Sequence, residues 1–286
     1  MDRGSQGEWP SIAADVDVNR GVKKHVASIN NIERIRQRLA EGQICIGSGV
    51  TFSDPSVSEL IAEAGYDFSW IDGEHGPFDL NCLLQHVTAA RGTDMAPFVR
   101  VRQNEVNEIK PVLDLAPAGI IVPQVQSARA AENVVRACRY PPHGVRGFGP
   151  RRGTRFGAIP MAEYLQQAET DPMLVIQIEH IDAVNQIDEI VAVDGIDIIC
   201  LGPNDLSGSM GKLGQIDDPE VAAAIDAVAD AVRANDRVLG VSTFYSPETY
   251  ARWMERGVRW ISLNVDYANL FNASRKVVEA ARRTNV

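Results

Sequence analysis

Lysine is scarce in this chain, and the scarcity narrows its chemistry. Only five lysines occur in 286 residues: Lys23, Lys24, Lys110, Lys212 and Lys276. None falls within a strand-like apolar run, where the desolvated amine of a Schiff-base enzyme would have to sit. Lys212, in a loop following one such run, comes nearest. Positive charge is also in deficit. The 28 Lys and Arg against 38 Asp and Glu leave a formal net charge of −10, which argues against a nucleic-acid partner and against an anionic membrane surface. No apolar run approaches transmembrane length, and the polar amino terminus lacks the apolar core of a signal peptide, so a soluble cytoplasmic chain is expected. The four cysteines (Cys45, Cys82, Cys138, Cys200) have neither metal-ligand spacing nor a disulfide framework, and read as reduced thiols.

A regular alternation fills most of the sequence. Residues 1–28 are polar and aperiodic and are expected to form a disordered extension, leaving 29–286 as one domain. Asn30–Glu41 is an amphipathic helix with Ile32, Ile35 and Leu39 on one face. Strand-like runs follow at Ile44–Val50, Phe68–Ile71, Pro97–Val101, Gly119–Val122, Met173–Ile178, Ile196–Leu201, Val238–Val241 and Trp260–Asn264. Helical segments separate nearly all of them: Ser56–Glu63, Leu80–Ala90, Val106–Leu115, Ala128–Cys138, Ala183–Val191, Pro219–Ala234 and Pro247–Arg256, with Phe271–Arg283 closing the chain. Eight strands alternating with helices predict an α/β protein of the (β/α)8 TIM-barrel class. The competing open, doubly wound sheet normally carries a Gly-rich fingerprint after its first strand. Ile46-Gly47-Ser48-Gly49-Val50-Thr51 lacks that form. The irregular interval Arg139–Pro172, rich in Pro and Gly, reads as a long loop at the functional face.

The stretch from Met173 to Ser207 organises the chemistry. It is a β-α-β unit, so its two strands should be parallel neighbours. Ligands of parallel α/β sheets sit beyond the carboxyl ends of the strands. Glu179 and Asp205 therefore share one mouth, where two carboxylates without a cation would repel each other or share a proton. A hard divalent cation, Mg2+ or Mn2+, resolves the conflict, and poverty of histidine at the strand ends argues against zinc. Other strands bring Asp72-Gly73-Glu74-His75, Arg100 and Arg102, Pro123-Gln124 and Gln177 to the same face. Singly, each has an ordinary explanation: a helix cap (Asp205 before Leu206-Ser207), a surface ion pair, a satisfied histidine. None of those explains the set. Arg100, permanently charged, suits an oxyanion. His75 suits a general base, with Asp72 three residues earlier to orient it. Peptide N–H groups at Asn204-Asp205-Leu206, opening a helix, suit a substrate carboxylate.

Five segments, in order, make the chain resemble the HpcH/HpaI aldolase family: YDFSWIDGEHGP (66–77), PFVRV (97–101), RYPPHGVRGFG (139–149), VIQIEH (175–180) and GPNDLS (202–207). The resemblance implies a (β/α)8 barrel, assembled as a homohexamer (a trimer of dimers) with the last helix exchanged between partners. It implies a class II, divalent-metal aldehyde-lyase acting on 4-hydroxy-2-oxo acids, with a 2-oxo acid and an aldehyde as small-molecule partners. By motif, Glu179 and Asp205 would bind the metal, with Co2+ a further candidate. Arg100 would stabilise the pyruvate enolate oxygen, His75 would act as base backed by Asp72, Gln177 would line the site, and Asn204 and Asp205 would hold the pyruvate carboxylate.

Three segments depart from the pattern. Ile46–Phe52 lacks a tryptophan after the first strand, Ser242-Thr243-Phe244 replaces an apolar lining and puts Ser242 against substrate, and Pro150-Arg151-Arg152 is more basic than usual. All three are expected on the aldehyde side. The GVTF and YDFSWID segments are also similar to macrophomate synthase, which decarboxylates oxaloacetate and uses the enolate to build a carbon–carbon bond. That leaves an oxaloacetate-decarboxylating or enolate-condensing enzyme as the alternative activity, and a non-catalytic barrel that binds a metal or an oxo acid as a third reading.

Overall fold

In a computed structural model, eight parallel strands close into a barrel in sequential order: β1 (Cys45–Val50), β2 (Phe68–Asp72), β3 (Ala96–Arg100), β4 (Gly119–Val122), β5 (Met173–Ile178), β6 (Ile198–Leu201), β7 (Val238–Thr243) and β8 (Val258–Val265). The structure describes residues 29–283, so the extension expected at 1–28 lies outside the described residues. Every strand falls within two residues of its expected bounds, because an apolar run that ends in polar residues is a strong boundary signal for a strand buried on both faces. Among the described residues, no helix is long and apolar enough to cross a membrane.

Large rings fill the amino-terminal half of the barrel. Phe68 stacks on Trp260 at 4.1 Å and meets Phe98 edge-on at 5.6 Å. Gly47 on β1 makes room, since a Cβ there would fall inside the Phe68 ring. Helix α1 (Ile32–Ala40) plugs this end, and its buried Ile32, Ile35 and Leu39 join the same cluster. Each such isoleucine contributes roughly 1.5–3 kcal/mol by burial. A second apolar layer packs the outer barrel face against α2 (Ser56–Glu63), α3 (Leu80–Ala89), α4 (Val106–Leu113) and α5 (Ala128–Cys138).

Three expectations are corrected. The interval Arg139–Pro172 joins the end of α5 to the start of β5, so it lies at the amino-terminal end of the barrel, opposite the carboxyl ends of the strands. Its residues bind the segment entering β4: Arg152 Nη1 donates to the carbonyls of Leu115 (2.8 Å) and Ala116 (3.1 Å). Pro150-Arg151-Arg152 therefore does not border the carboxyl ends of the strands, where the sequence placed it. The interval also contains α6 (Met161–Gln167), a helix too short to show periodicity. The helix expected at Ala183–Val191 is two, α7 (Ile181–Val184) and α8 (Ile187–Val191), broken at Asn185-Gln186 so that Ala183 and then Ile187, Ile190 and Val191 all face inward.

After β6 come α9 (Pro203–Ser209) and α10 (Pro219–Ala234), and after β7 comes α11 (Pro247–Glu255). The final helix, α12 (Asp266–Arg283), starts five residues before the expected Phe271, directly from β8 without a loop. From Leu270 onward all of its described residues are exposed, Phe271, Val277 and Val278 included.

Candidate active site

The carboxyl ends of the strands enclose a cavity of about 180 Å³. Asp72, His75, Arg100, Gln177, Asn204, Asp205 and Ser242 all line it, with Gly49, Thr51, Trp70 and Val265. Glu179 stands one residue beyond β5, beside Gly202 on the neighbouring β6 edge, where Gly202 N–H donates to the Ile178 carbonyl (3.0 Å). A side chain on Gly202 would press on the Glu179 carboxylate. The structure thus gathers Asp72, His75, Arg100, Gln177, Asn204, Asp205 and Ser242 at one mouth, with Glu179 at its edge, whereas Arg102 turns away to donate from Nη2 to the Phe78 carbonyl (2.7 Å).

Arg100 is the electrostatic centre. It ends β3 with its side chain 11% exposed, and donates from Nε (2.9 Å) and Nη2 (2.6 Å) to both oxygens of Asp72. Its Nη1 lies 2.8 Å from Glu74 Oε2 and 3.5 Å from Gln177 Oε1, and its guanidinium sits 5.3 Å from the Trp70 ring centre. Burial works to lower its pKa, but the hydrogen bond and charge of Asp72, with Glu74 and Glu179, outweigh burial and raise it. The fork is fixed in plane and fully charged.

Asp72 does not orient the His75 ring, as expected from their spacing. Its Oδ1 instead accepts the backbone N–H groups of Glu74 and His75, each at 3.1 Å, while the carboxylate holds Arg100. Asp72 shapes the turn, and the turn delivers the histidine. The imidazole is 70% exposed, and its nearest charged neighbour is Glu74, with Nε2 3.7 Å from Oε2. Glu74 itself was not assigned a role from the sequence. Only the turn made by Gly73 and Gly76 shows that it points inward. Burial raises its carboxyl pKa, Arg100 and His75 oppose that, and Asp72 and Asp205 add to it.

Glu179 is 3% exposed. Its Oε1 accepts the backbone N–H of Gln124 (3.1 Å), presented from a left-handed backbone at φ 58°. This is a strained residue at a site, invisible to sequence pattern. Burial is the main cause that pushes the Glu179 carboxyl up to about 7. The Gln124 N–H and Arg100 pull it down, and the charges of Glu74 and Asp205 push it further up. Asp205 is the third residue of α9 and does not cap it, since that position belongs to Gly202. The N–H of Leu206 donates to the Gly202 carbonyl (3.0 Å), which removes Leu206 from the expected anion cradle and leaves the amides of Asn204 and Asp205 at the helix opening.

Glu179 and Asp205 carry hard carboxylate oxygens, and Asp72, Glu74 and Glu179 crowd the Arg100 guanidinium. Among the described residues no group of three or more His, Cys, Asp or Glu is arranged to hold a metal. Two such carboxylates would suit an ion that completes its shell with substrate oxygens and water, as Mg2+-type ions do.

A closed barrel with carboxylates, a fixed guanidinium and an exposed imidazole at its carboxyl end has the make-up of an enzyme active site. The HpcH/HpaI aldolase/citrate lyase family model matches residues 50–273, and the chain belongs to that family. It is an enzyme of the aldolase, or carbon–carbon lyase, class. A hydroxypyruvate/pyruvate aldolase of Pseudomonas aeruginosa is 37% identical over 249 residues, 86% of this chain and 91% of its own length. The structure of an HpcH/HpaI aldolase from Desulfitobacterium hafniense DCB-2 superposes with a TM-score of 0.81 at 30% identity, covering 87% of this chain and 96% of its own. The citrate synthase SbnG superposes at 0.80 with 28% identity, covering 90% and 99%. Macrophomate synthase, at 23% identity, TM-score 0.78 and coverage of 90% and 91%, shares the fold.

Proposed function

We propose that this enzyme makes and breaks the C3–C4 bond of 4-hydroxy-2-oxo acids through a pyruvate enolate, with a divalent cation (Mg2+, Mn2+ or Co2+) held by Glu179 and Asp205. One arrangement carries the reading: the buried Glu179 and the cavity-lining Asp205 stand just past the ends of the paired strands β5 and β6, opposite an Arg100 guanidinium fixed by Asp72 and Glu74, where a 2-oxo acid would bind. A bound cation would supply Lewis-acid stabilisation of negative charge on the keto oxygen.

The chain's own residues do the rest. The amides of Asn204 and Asp205 donate to the substrate carboxylate, and Gln177 lines its seat. Arg100, locked by Asp72 and Glu74, donates to the oxygen that gains charge as the bond breaks. His75 takes the proton of the 4-hydroxyl, directly or through water, as the C3–C4 electron pair moves to the 2-oxo acid fragment and the aldehyde leaves. Ser242 lines the aldehyde end. Pyruvate release from a 4-hydroxy-2-oxo acid, with and without chelator, tests this. Turnover should vanish with chelator and return with Mn2+, and unchanged turnover would remove the metal from the account.

Oxaloacetate decarboxylation with enolate condensation is the second reading, favoured by the exposed His75 ring, whose Nε2 lies 3.7 Å from Glu74 Oε2. Replacing His75 by Ala separates the two. Aldol cleavage should collapse, whereas decarboxylation, which needs no base for a 4-hydroxyl, should persist.

The exposed apolar side chains of α12 support a homo-oligomer in which this helix packs on a partner barrel, a hexamer built as a trimer of dimers. The free cysteines among the described residues, three of them buried, support a cytoplasmic location.

A further inference from the structure

The catalytic cavity has two unlike walls. Charged residues stand on the ends of β2, β3, β5 and β6. Gly49, Thr51, Ser242 and Val265, all uncharged, stand at β1, β7 and β8. A 2-oxo acid, with its carboxylate and developing oxyanion, belongs against the charged wall, which leaves the neutral wall for the aldehyde.

The barrel does not hold that neutral wall alone. Strand β8 carries one residue more than β1 at its end: Gly47 pairs with Ser262, but Gly49 pairs with Val265. The bulge puts Asn264 in the left-handed region at φ 62°, which asparagine tolerates better than most side chains. From there its Oδ1 accepts the N–H of Tyr245 in the loop after β7 (2.9 Å), and its Nδ2 donates to Asn269 Oδ1 in the first turns of α12 (2.9 Å). Asp266, the first residue of α12 and 7% exposed, accepts the N–H groups of Thr51 (2.7 Å) and Phe52 (2.8 Å), the Thr51 hydroxyl (2.6 Å) and the N–H of Tyr267 (2.8 Å). The loops after β1 and β7 are thus both fastened to the single stretch 264–269.

Building on the aldolase reading above, we infer that Asn264 and Asp266 are positioning residues that fix the acceptor wall, setting which aldehyde fits and how tightly without acting on the 2-oxo acid half of the reaction. Bulges beside active sites re-aim side chains, and this one ties the wall to the root of the helix that leaves the barrel. With four donors already on it, the Asp266 carboxylate is committed to this clamp.

The metal-loaded enzyme offers two readouts. Exchange of the pyruvate C3 protons with D2O, followed by NMR, needs only the charged wall. The KM for short and long aldehydes in the condensation direction needs both. Asn264→Gly keeps the left-handed backbone and removes both bridges. Aldehyde KM should rise about fivefold to tenfold, as loss of one or two hydrogen bonds implies, and the ranking of aldehydes should change, while proton exchange stays within about twofold. Asn269→Ala removes one bridge from a helix surface and should shift KM the same way by less, which keeps the test alive if the first variant folds poorly. Aldehyde KM unchanged in Asn269→Ala and in folded Asn264→Gly would overturn the inference, as would proton exchange that fell by the same factor by which KM rose. Absence of metal-stimulated exchange in the unaltered enzyme would instead overturn the aldolase reading beneath it.

Discussion

The two ends of this barrel both bury arginine, and they use it differently. At the carboxyl end Arg100 is held by the side chains of Asp72, Glu74 and Gln177, and its pKa is raised. At the amino end Arg139 and Arg152 are held by main-chain carbonyls. Arg139 donates to those of Thr170 (3.2 Å), Asp171 (3.2 Å) and Pro172 (3.4 Å), and burial lowers the pKa of both arginines. Arg146 donates both to the Leu113 carbonyl (3.3 Å) and to Asp114 Oδ1 (3.4 Å) while lying over the Tyr140 ring at 4.6 Å. A guanidinium bound to carboxylates stays fully charged at a mouth where substrate charge develops. One bound to carbonyls staples a loop whose orphan acceptors would otherwise be buried without partners.

The sharpest way to break this contrast is at Arg100. Arg100→Lys keeps a charge but loses the fork, and kcat should fall about 100-fold or more while the protein stays folded. Near-normal kcat would make Arg100 another staple. Arg139→Ala is the converse. It should cost about 2–4 kcal/mol of stability, read by urea unfolding, and leave the kcat of the folded enzyme unchanged. A variant that kept its stability but lost kcat would invert the assignment.

How much of this was legible in the sequence follows from where each signal resides. Strands read clearly because both faces are buried, and Glu179, Asp205 and Arg100 read clearly because the ends of such runs must meet at one mouth. Residues whose role depends on a turn did not read. Glu74 was placed at the functional face without a role, which the Asp72–Gly76 turn supplies by setting its carboxylate beside Arg100. Gln124 contributes only a backbone N–H, and no side-chain pattern announces that. Asp266 was hidden because β8 runs into α12 without punctuation. The placement of Arg151 and Arg152 at the catalytic face failed for a topological reason: a segment leading from a helix into a strand belongs to the opposite end of the barrel from one leading out of a strand.

The central claim is that Glu179 and Asp205 together hold a divalent cation, and Mn2+ titration followed by electron paramagnetic resonance tests it most directly. A protonated carboxyl cannot ligate, so with the Glu179 pKa near 7 affinity should fall as pH drops below that value, approaching tenfold per unit, and level off above it. Glu179→Gln and Asp205→Asn should each weaken Mn2+ binding by about 100-fold. Binding by both variants as tight as that of the unaltered protein, with no dependence on pH between 5.5 and 8, would contradict the account.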